Sequence, residues 1–451
     1  MNVKQPWNLT MLCDFYELTM ANGYFEKGYR DKICYFDVFF RQCPDKGGFA
    51  IAAGLAQVID YIQALKFDDE DITYLRSKNL FDEAFLDYLR GFRFTGDIWA
   101  VPEGTYVFPG EPLMIVRAPA IQAQFIETYV LMVINHESLI ATKASRLTRA
   151  AKGRAVSEFG SRRAQGADAA MLGARAAYIG GINNTACTIS DELYGVPASG
   201  TMAHSWVQMF DTEYEAFETY CKTYSKSATL LVDTYNVLKS GVPNAIRAFD
   251  SVYGKDNKEV SLAIRLDSGD IAYLSRKARK MLDDAGYSHC KIVASNSLDE
   301  YIIGDLLQQG AQIDMFGVGE RLITAKSEPV FGGVYKLTAL FEDGVEIPKI
   351  LLPKKGSDFK AWSVIACDQY TQDRDYWARC EKNAEGKPSC INLILPEVYL
   401  NDADKAERIA KIHKNMNEYV KNGVFAPEEA EFVYIERKTA YGRVRKGLIV
   451  A

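Results

Sequence analysis

Residues 261–286 read SLAIRLDSGDIAYLSRKARKMLDDAG, and this one stretch shows how the central part of the chain is built. Six residues, mostly apolar, end abruptly in the polar turn D-S-G-D. A segment with helical spacing of its apolar residues follows and stops at a glycine. The same rhythm recurs on both sides. RAVSEF runs into GSRR, ATLLV into DTYN, CKIVA into SNS and DMFGV into GER. Apolar runs alternating with helices across short connections imply parallel strands. Five such units are convincing, whereas a regular barrel has eight, so an open doubly wound sheet and a closed barrel both fit the periodicity. In either architecture ligands bind at the carboxyl ends of the strands, and the polar clusters lie there.

Upstream, residues 1–120 mix helical signals with short strands. CYFDVFF is rich in aromatic and β-branched residues, and TYVFPGEPLMIVRAP is broken by Gly and Pro turns. A sheet-containing α+β domain is expected there, completed by C-terminal residues. Residues 122–152 change to one long proline-free helical pattern, so 121–152 read as a bridging helix and 153–340 as the α/β domain. Residues 341–451, with a helix expected over 401–423, read as an appendage packing on the other two parts.

The chain has 451 residues, 48% of them hydrophobic, enough for a large core divided between domains. Its start, MNVKQPWNLT, lacks the charge and apolar run of a signal peptide, and no segment holds eighteen uninterrupted apolar residues, so a cytoplasmic protein with no membrane association is expected. The net charge of -6 argues against a broad nucleic-acid surface but permits a small anion held by a few arginines. Nine scattered cysteines form no C-x-x-C pair, so they read as reduced structural thiols. Cys380 and Cys390 are the closest pair in the C-terminal part, where a metal role is the weaker reading.

Several strand ends carry candidate chemistry. Arg265, Asp267 and Asp270 surround the D-S-G-D turn, where two carboxylates could meet ribose hydroxyls or a hydrated magnesium ion. Taken alone, that turn reads more simply as an Asx turn capping the next helix. In EFGSRRAQG, Phe159 offers a flat apolar face and Arg162 and Arg163 offer forked donors, a combination suited to a planar aromatic acid. The plain alternative is a core phenylalanine beside a solvated helix start. Ser295, Asn296, Gly317 and Gly319 could expose backbone amides to phosphate. No G-x-x-x-x-G-K-[ST] loop occurs, which excludes ordinary P-loop chemistry, and no G-x-G-x-x-G follows the first strand signal, which disfavours a dehydrogenase. His204 is one of four histidines and lies among small and hydroxyl residues in SGTMAHSWVQMF.

Taken together, DFYELTMANGYF, EFGSRRAQG, GTMAHSW, RLDSGD, ASNSLDE and FGVGERLITA followed by VYKL resemble the nicotinate phosphoribosyltransferases, in consistent order from Asp14 to Leu337. The resemblance implies an irregular α/β barrel of parallel strands joined to an N-terminal sheet-containing α+β domain. It also implies a homodimer with shared active sites. The implied reaction joins nicotinate to phosphoribosyl pyrophosphate in NAD salvage, coupled to ATP hydrolysis and using Mg2+ held mainly by substrate phosphates. By the same resemblance, Tyr16 of one subunit and Phe159 of the other stack on the pyridine ring. Arg162 and Arg265 meet the nicotinate carboxylate and the phosphoribosyl donor, Asp267 lies nearest the ribose hydroxyls, and His204 is the residue phosphorylated by ATP.

Two departures stand out. Where relatives often read G-T-S-N, this chain has Asn184, Thr185, Ala186 and Cys187, with Thr185 retained as a candidate contact. Nicotinamide enzymes place an aspartate in that region, so neutral Ala186 and Cys187 favour an acidic substrate over the amide. Glu320 stands where relatives often have threonine. A quinolinate enzyme would show a more strongly basic pocket than the one beside Arg162. A non-catalytic relative would have lost one of His204, Arg265, Asp267 or Asp270, and all are present.

Overall fold

The computed structural model describes residues 8–342 continuously and, beyond them, the backbone of six short strands ending at Val450. The helix expected over 401–423 lies outside the described residues. Cys380 and Cys390 fall on adjacent antiparallel strands, in register with Ile391 and Glu381 respectively.

The N-terminal part opens with helix α1 (Phe15–Glu26), followed by strands β1 (Ile33–Phe40), β2 (Asp97–Ala100) and β3 (Met114–Pro119). All pairings among these strands are antiparallel, with β3 between β1 and β2. The long helical pattern becomes two helices, a short one at Ala120–Phe125 and then α2 at Glu127–Ala150. Every residue of α2 from Glu137 to Ser145 is buried, so this helix is enclosed on all sides and packs against both parts of the molecule. Its start takes an unusual cap, because Glu17 accepts hydrogen bonds from the Thr128 backbone N–H (2.9 Å) and hydroxyl (2.7 Å). Farther along, Ser138 and Thr142 receive the backbone N–H groups of Ala53 and Ile51, tying the helix to the N-terminal domain.

The central part then unfolds as β4 (Ala155–Glu158), α3 (Ala167–Ile179), β5 (Asn184–Thr185), α4 (His204–Gln208), β6 (Ser227–Leu231), β7 (Ser261–Leu266), α5 (Ile271–Asp284), β8 (Lys291–Ser295), α6 (Glu300–Gln308) and β9 (Met315–Val318). The six strands form one parallel sheet in the order β5-β4-β9-β8-β7-β6, curled as half a barrel. This is the α/β architecture expected from the sequence. All five strands read from the periodicity are present, and β5 is the addition. Two residues are too few to leave a periodic signal. Strands such as β7 are buried through most of their length, as parallel strands covered on both faces must be.

Residues 333–340 were read as the end of the barrel domain. Instead, β10 (Gly333–Glu342) leaves the barrel and pairs antiparallel with β1, and β11 (Val345–Pro348) continues that sheet. The second edge of the apolar strand β1 is thereby covered, which satisfies its backbone groups.

Candidate active site

Parallel register puts the strand ends side by side. Leu231 pairs with Arg265, Arg265 with Val293, Ser295 with Gly317, Val318 with Glu158 and Glu158 with Thr185. The strand ends therefore form one row, with Asp233, Asp267, Ser295 and Gly317 side by side and Gly319, Phe159 and Ala186 about two residues farther along.

Arg265 and Asp267 are two residues apart at the end of one strand, and alternation places them on the same side. The Arg265 guanidinium donates to Thr201 Oγ1 at 2.7 Å and to the Met202 carbonyl at 2.9 Å, while its Nε is buried without a protein partner. Burial lowers its proton affinity and Arg162 adds to that effect, whereas Asp267 and Asp233 oppose it. Asp267 accepts from the Ser295 hydroxyl, and its own backbone N–H donates to Asp233 Oδ2 at 2.9 Å. The Ser268 hydroxyl donates to the same Asp233 oxygen at 2.7 Å, and Asp233 Oδ1 is buried without a partner. A cation and two carboxylates, held by strand ends, thus converge with unfilled hydrogen-bonding capacity among them.

His204 opens the short helix α4 beside this group. Its Nδ1 lies 3.1 Å from Thr234 Oγ1 and its Nε2 lies 3.8 Å from Asp267 Oδ2. The ring is oriented through one nitrogen and presents the other to a carboxylate, with 41% of its side chain exposed. Such a histidine is held in orientation by its neighbours while part of its ring stays open to solvent.

Phe159 follows β4, and its ring explains Gly317. A Cβ on Gly317 would stand 2.4 Å from Phe159 Cε2, and one on Gly319 would stand 3.0 Å from the Phe159 carbonyl oxygen. Both glycines therefore serve close packing around Phe159, in addition to any amide they offer a phosphate. Arg162 and Arg163 lie exposed on the 3-10 turn Ser161–Arg163 directly after the ring. Glu320 pairs with Lys326 at 2.7 Å, which occupies its charge at the surface.

Other candidates are placed differently. The Asp270 carboxylate caps α5, accepting from the Tyr273 N–H at 2.9 Å, so the simpler reading of the D-S-G-D turn describes its contact. The Thr185 hydroxyl points inward, donating to Glu158 Oε2 at 2.6 Å. Asn296 is exposed with φ of 78°, in the left-handed region that asparagine tolerates. Tyr16 lies on α1 beside Glu127 and is 43% exposed. Asp233, Thr234, Thr201 and Glu158 were not singled out from sequence. The strand-end pattern that flagged DTYN could have pointed to the first two.

Residues 11–135 match the model of the nicotinate phosphoribosyltransferase N-terminal domain, and residues 154–350 match that of the nicotinate phosphoribosyltransferase family. The nicotinate phosphoribosyltransferase of Bacillus subtilis (strain 168) is 40% identical over 433 residues, covering 95% of this chain and 84% of its own. This chain belongs to the nicotinate phosphoribosyltransferase family. A second family member, nicotinate phosphoribosyltransferase pncB2 of Mycobacterium tuberculosis, is 44% identical over 329 residues, 73% of this chain and 70% of its own. The crystal structure of human nicotinic acid phosphoribosyltransferase superposes with a TM-score of 0.66 at 28% identity, covering 85% of this chain and 81% of that one. Residues 351–451 match a different model, described as a protein of unknown function (DUF1015). The nicotinate phosphoribosyltransferase family match over residues 154–350 contains every strand of the parallel sheet whose ends form the row. Among the described residues, no helix is long and apolar enough to cross a membrane.

Proposed function

We propose that this chain transfers the phosphoribosyl group of phosphoribosyl pyrophosphate to nicotinate, forming nicotinate mononucleotide and pyrophosphate with coupled ATP hydrolysis. The observation that carries the reading is the meeting of Arg265, Asp267 and His204 at the carboxyl ends of the parallel strands, in a chain of this family.

Each group has a chemical task in that reaction. The Phe159 ring supplies one face of the pyridine subsite, and Arg162 offers a fork that matches the nicotinate carboxylate. Departure of pyrophosphate leaves positive charge on the sugar carbon, which the fixed Asp267 carboxylate stabilises. Arg265 meets the donor's phosphates or the base carboxylate. His204 carries the phosphoryl group from ATP, with Thr234 orienting the ring, and so couples hydrolysis to synthesis.

Among the described residues, no three His, Cys, Asp or Glu side chains could hold a metal ion together. Mg2+ would enter with the pyrophosphate, and the Asp233 and Asp267 carboxylates at the same strand ends would offer it hard oxygen ligands. When bound, it would screen the charge of the leaving group. Tyr16, exposed on α1, suits a homodimer in which one subunit's tyrosine enters the partner's site. The reading further places the enzyme in the cytoplasm.

Product formation from phosphoribosyl pyrophosphate and Mg2+ tests the proposal, with nicotinate and nicotinamide offered in parallel, each with and without ATP. Turnover of nicotinate alone, stimulated by ATP, is the expected result. Turnover of nicotinamide instead would keep the fold and overturn the assignment of Phe159, Arg162 and Ala186 to an acidic base.

A further inference from the structure

Glu158 is the last residue of β4 and lies in register between Val318 of β9 and Thr185 of β5. It is fully buried, and burial pushes its carboxyl above the ordinary range. A charge is rarely placed in such a position unless its hydrogen bonds are made. Here both oxygens are used. Oε1 accepts the N–H of Gly160, the residue after Phe159. Oε2 accepts the Thr185 hydroxyl at 2.6 Å, and Thr185 Oγ1 in turn accepts the Cys187 N–H at 2.9 Å. The Glu158 carbonyl also accepts the Ala186 N–H at 2.8 Å.

One carboxylate thus joins two turns that flank the base subsite: the turn bearing Phe159 and Arg162, and the turn bearing Ala186. The first turn is tightly seated, since a Cβ on Gly160 would stand 2.6 Å from Ile323 Cβ and 2.7 Å from Glu158 Oε1. We propose that Glu158, acting through Gly160 and the Thr185 hydroxyl, is the positioning residue of the pyridine subsite and sets the separation between the Phe159 and Ala186 turns. The inference rests on the function proposed above. It also accounts for Thr185 as a second positioning residue, whose hydroxyl links Glu158 to the Cys187 N–H.

The chemistry of the bridge selects the variants. Glutamine offers one acceptor oxygen where two are required, and Thr185→Val removes the donor at nearly constant volume, whereas Thr185→Ser keeps it. Steady-state kinetics on the full chain, varying nicotinate and phosphoribosyl pyrophosphate separately, give the readout, and thermal unfolding confirms that each variant is folded. Glu158→Gln and Thr185→Val are expected to raise the nicotinate KM roughly tenfold or more, as loss of a hydrogen bond to a charged group implies. The phosphoribosyl pyrophosphate KM should stay within about twofold and Thr185→Ser should restore the nicotinate KM, because the disturbance is confined to one subsite. An active wild type with unchanged nicotinate KM in Glu158→Gln and Thr185→Val overturns the inference alone. So does a rise of equal size in both KM values without rescue by Thr185→Ser. A wild type that converts no nicotinate overturns the functional reading, and the inference with it.

Discussion

His204 Nε2 stands 3.8 Å from Asp267 Oδ2, so the residue assigned to phosphoryl transfer and the residue assigned to the ribose are direct neighbours. They come from different elements, the start of α4 and the turn after β7, and Thr234 in the turn after β6 lies 3.1 Å from the other ring nitrogen. Coupling of ATP hydrolysis to nucleotide formation would then act over a single contact.

His204→Ala is expected to retain slow nicotinate mononucleotide synthesis while losing stimulation by ATP. Initial rates with and without ATP, together with transfer of labelled γ-phosphate to the protein, check this. Full ATP stimulation in the variant would rule out phosphorylation at His204.

Asp267→Asn keeps the size of the side chain and its acceptor for Ser295 but removes the charge. Loss of a fixed group that stabilises charge in the transition state costs on the order of 10²–10³ in kcat. Saturating kinetics of the variant, which should fold normally, measure it, and a change below about threefold would exclude that electrostatic role.

Asp270 separates a cap from a catalytic group. Since its carboxylate accepts the Tyr273 N–H, Asp270→Ala should lower stability by about 1 kcal/mol and leave kcat nearly unchanged. Urea unfolding and steady-state rates report the two effects independently. A large fall in kcat at normal stability would return Asp270 to the catalytic group.

Glu17 makes stability depend on pH. Burial pushes its carboxyl from 4.5 up to about 7, although its bonds from Thr128 oppose the shift. A carboxyl raised in the folded state binds its proton more tightly there than in the unfolded chain. Its contribution is therefore fully present below pH 4.5 and lost as pH rises through about 7. Glu17→Gln keeps an acceptor for Thr128 without the titration, so its unfolding free energy should gain on the wild type by roughly 3 kcal/mol across that window. Urea midpoints at several pH values decide it, and parallel curves for the two proteins would remove Glu17 as the cause.

Much of the architecture was legible because it depends on local patterns. The run SLAIRL followed by DSGD and a helical segment announces a strand end with polar residues, and each of the five units did the same. The cap made by Asp270 was open to local reading only as the plainer alternative, because the turn also grouped that carboxylate with Arg265 and Asp267 as a catalytic candidate. Asn184–Thr185 was not, because two residues carry no period. Asp233 was passed over because nothing in DTYN by itself says that its carboxylate receives the Asp267 N–H from the neighbouring strand.

The sequence by itself determined the parallel α/β character, the family resemblance and the residue types that gather at the strand ends, because alternation and turn chemistry act over a few residues. Tertiary structure alone decided which of those residues meet. Strand order brought Asp233 to Asp267 across 34 positions and Glu158 to Thr185 across 27, and it sent Gly333–Glu342 back to pair with β1. Such pairings follow from which strand edges must be covered and which buried carboxylates must be bonded, and those conditions exist only once the chain has closed on itself.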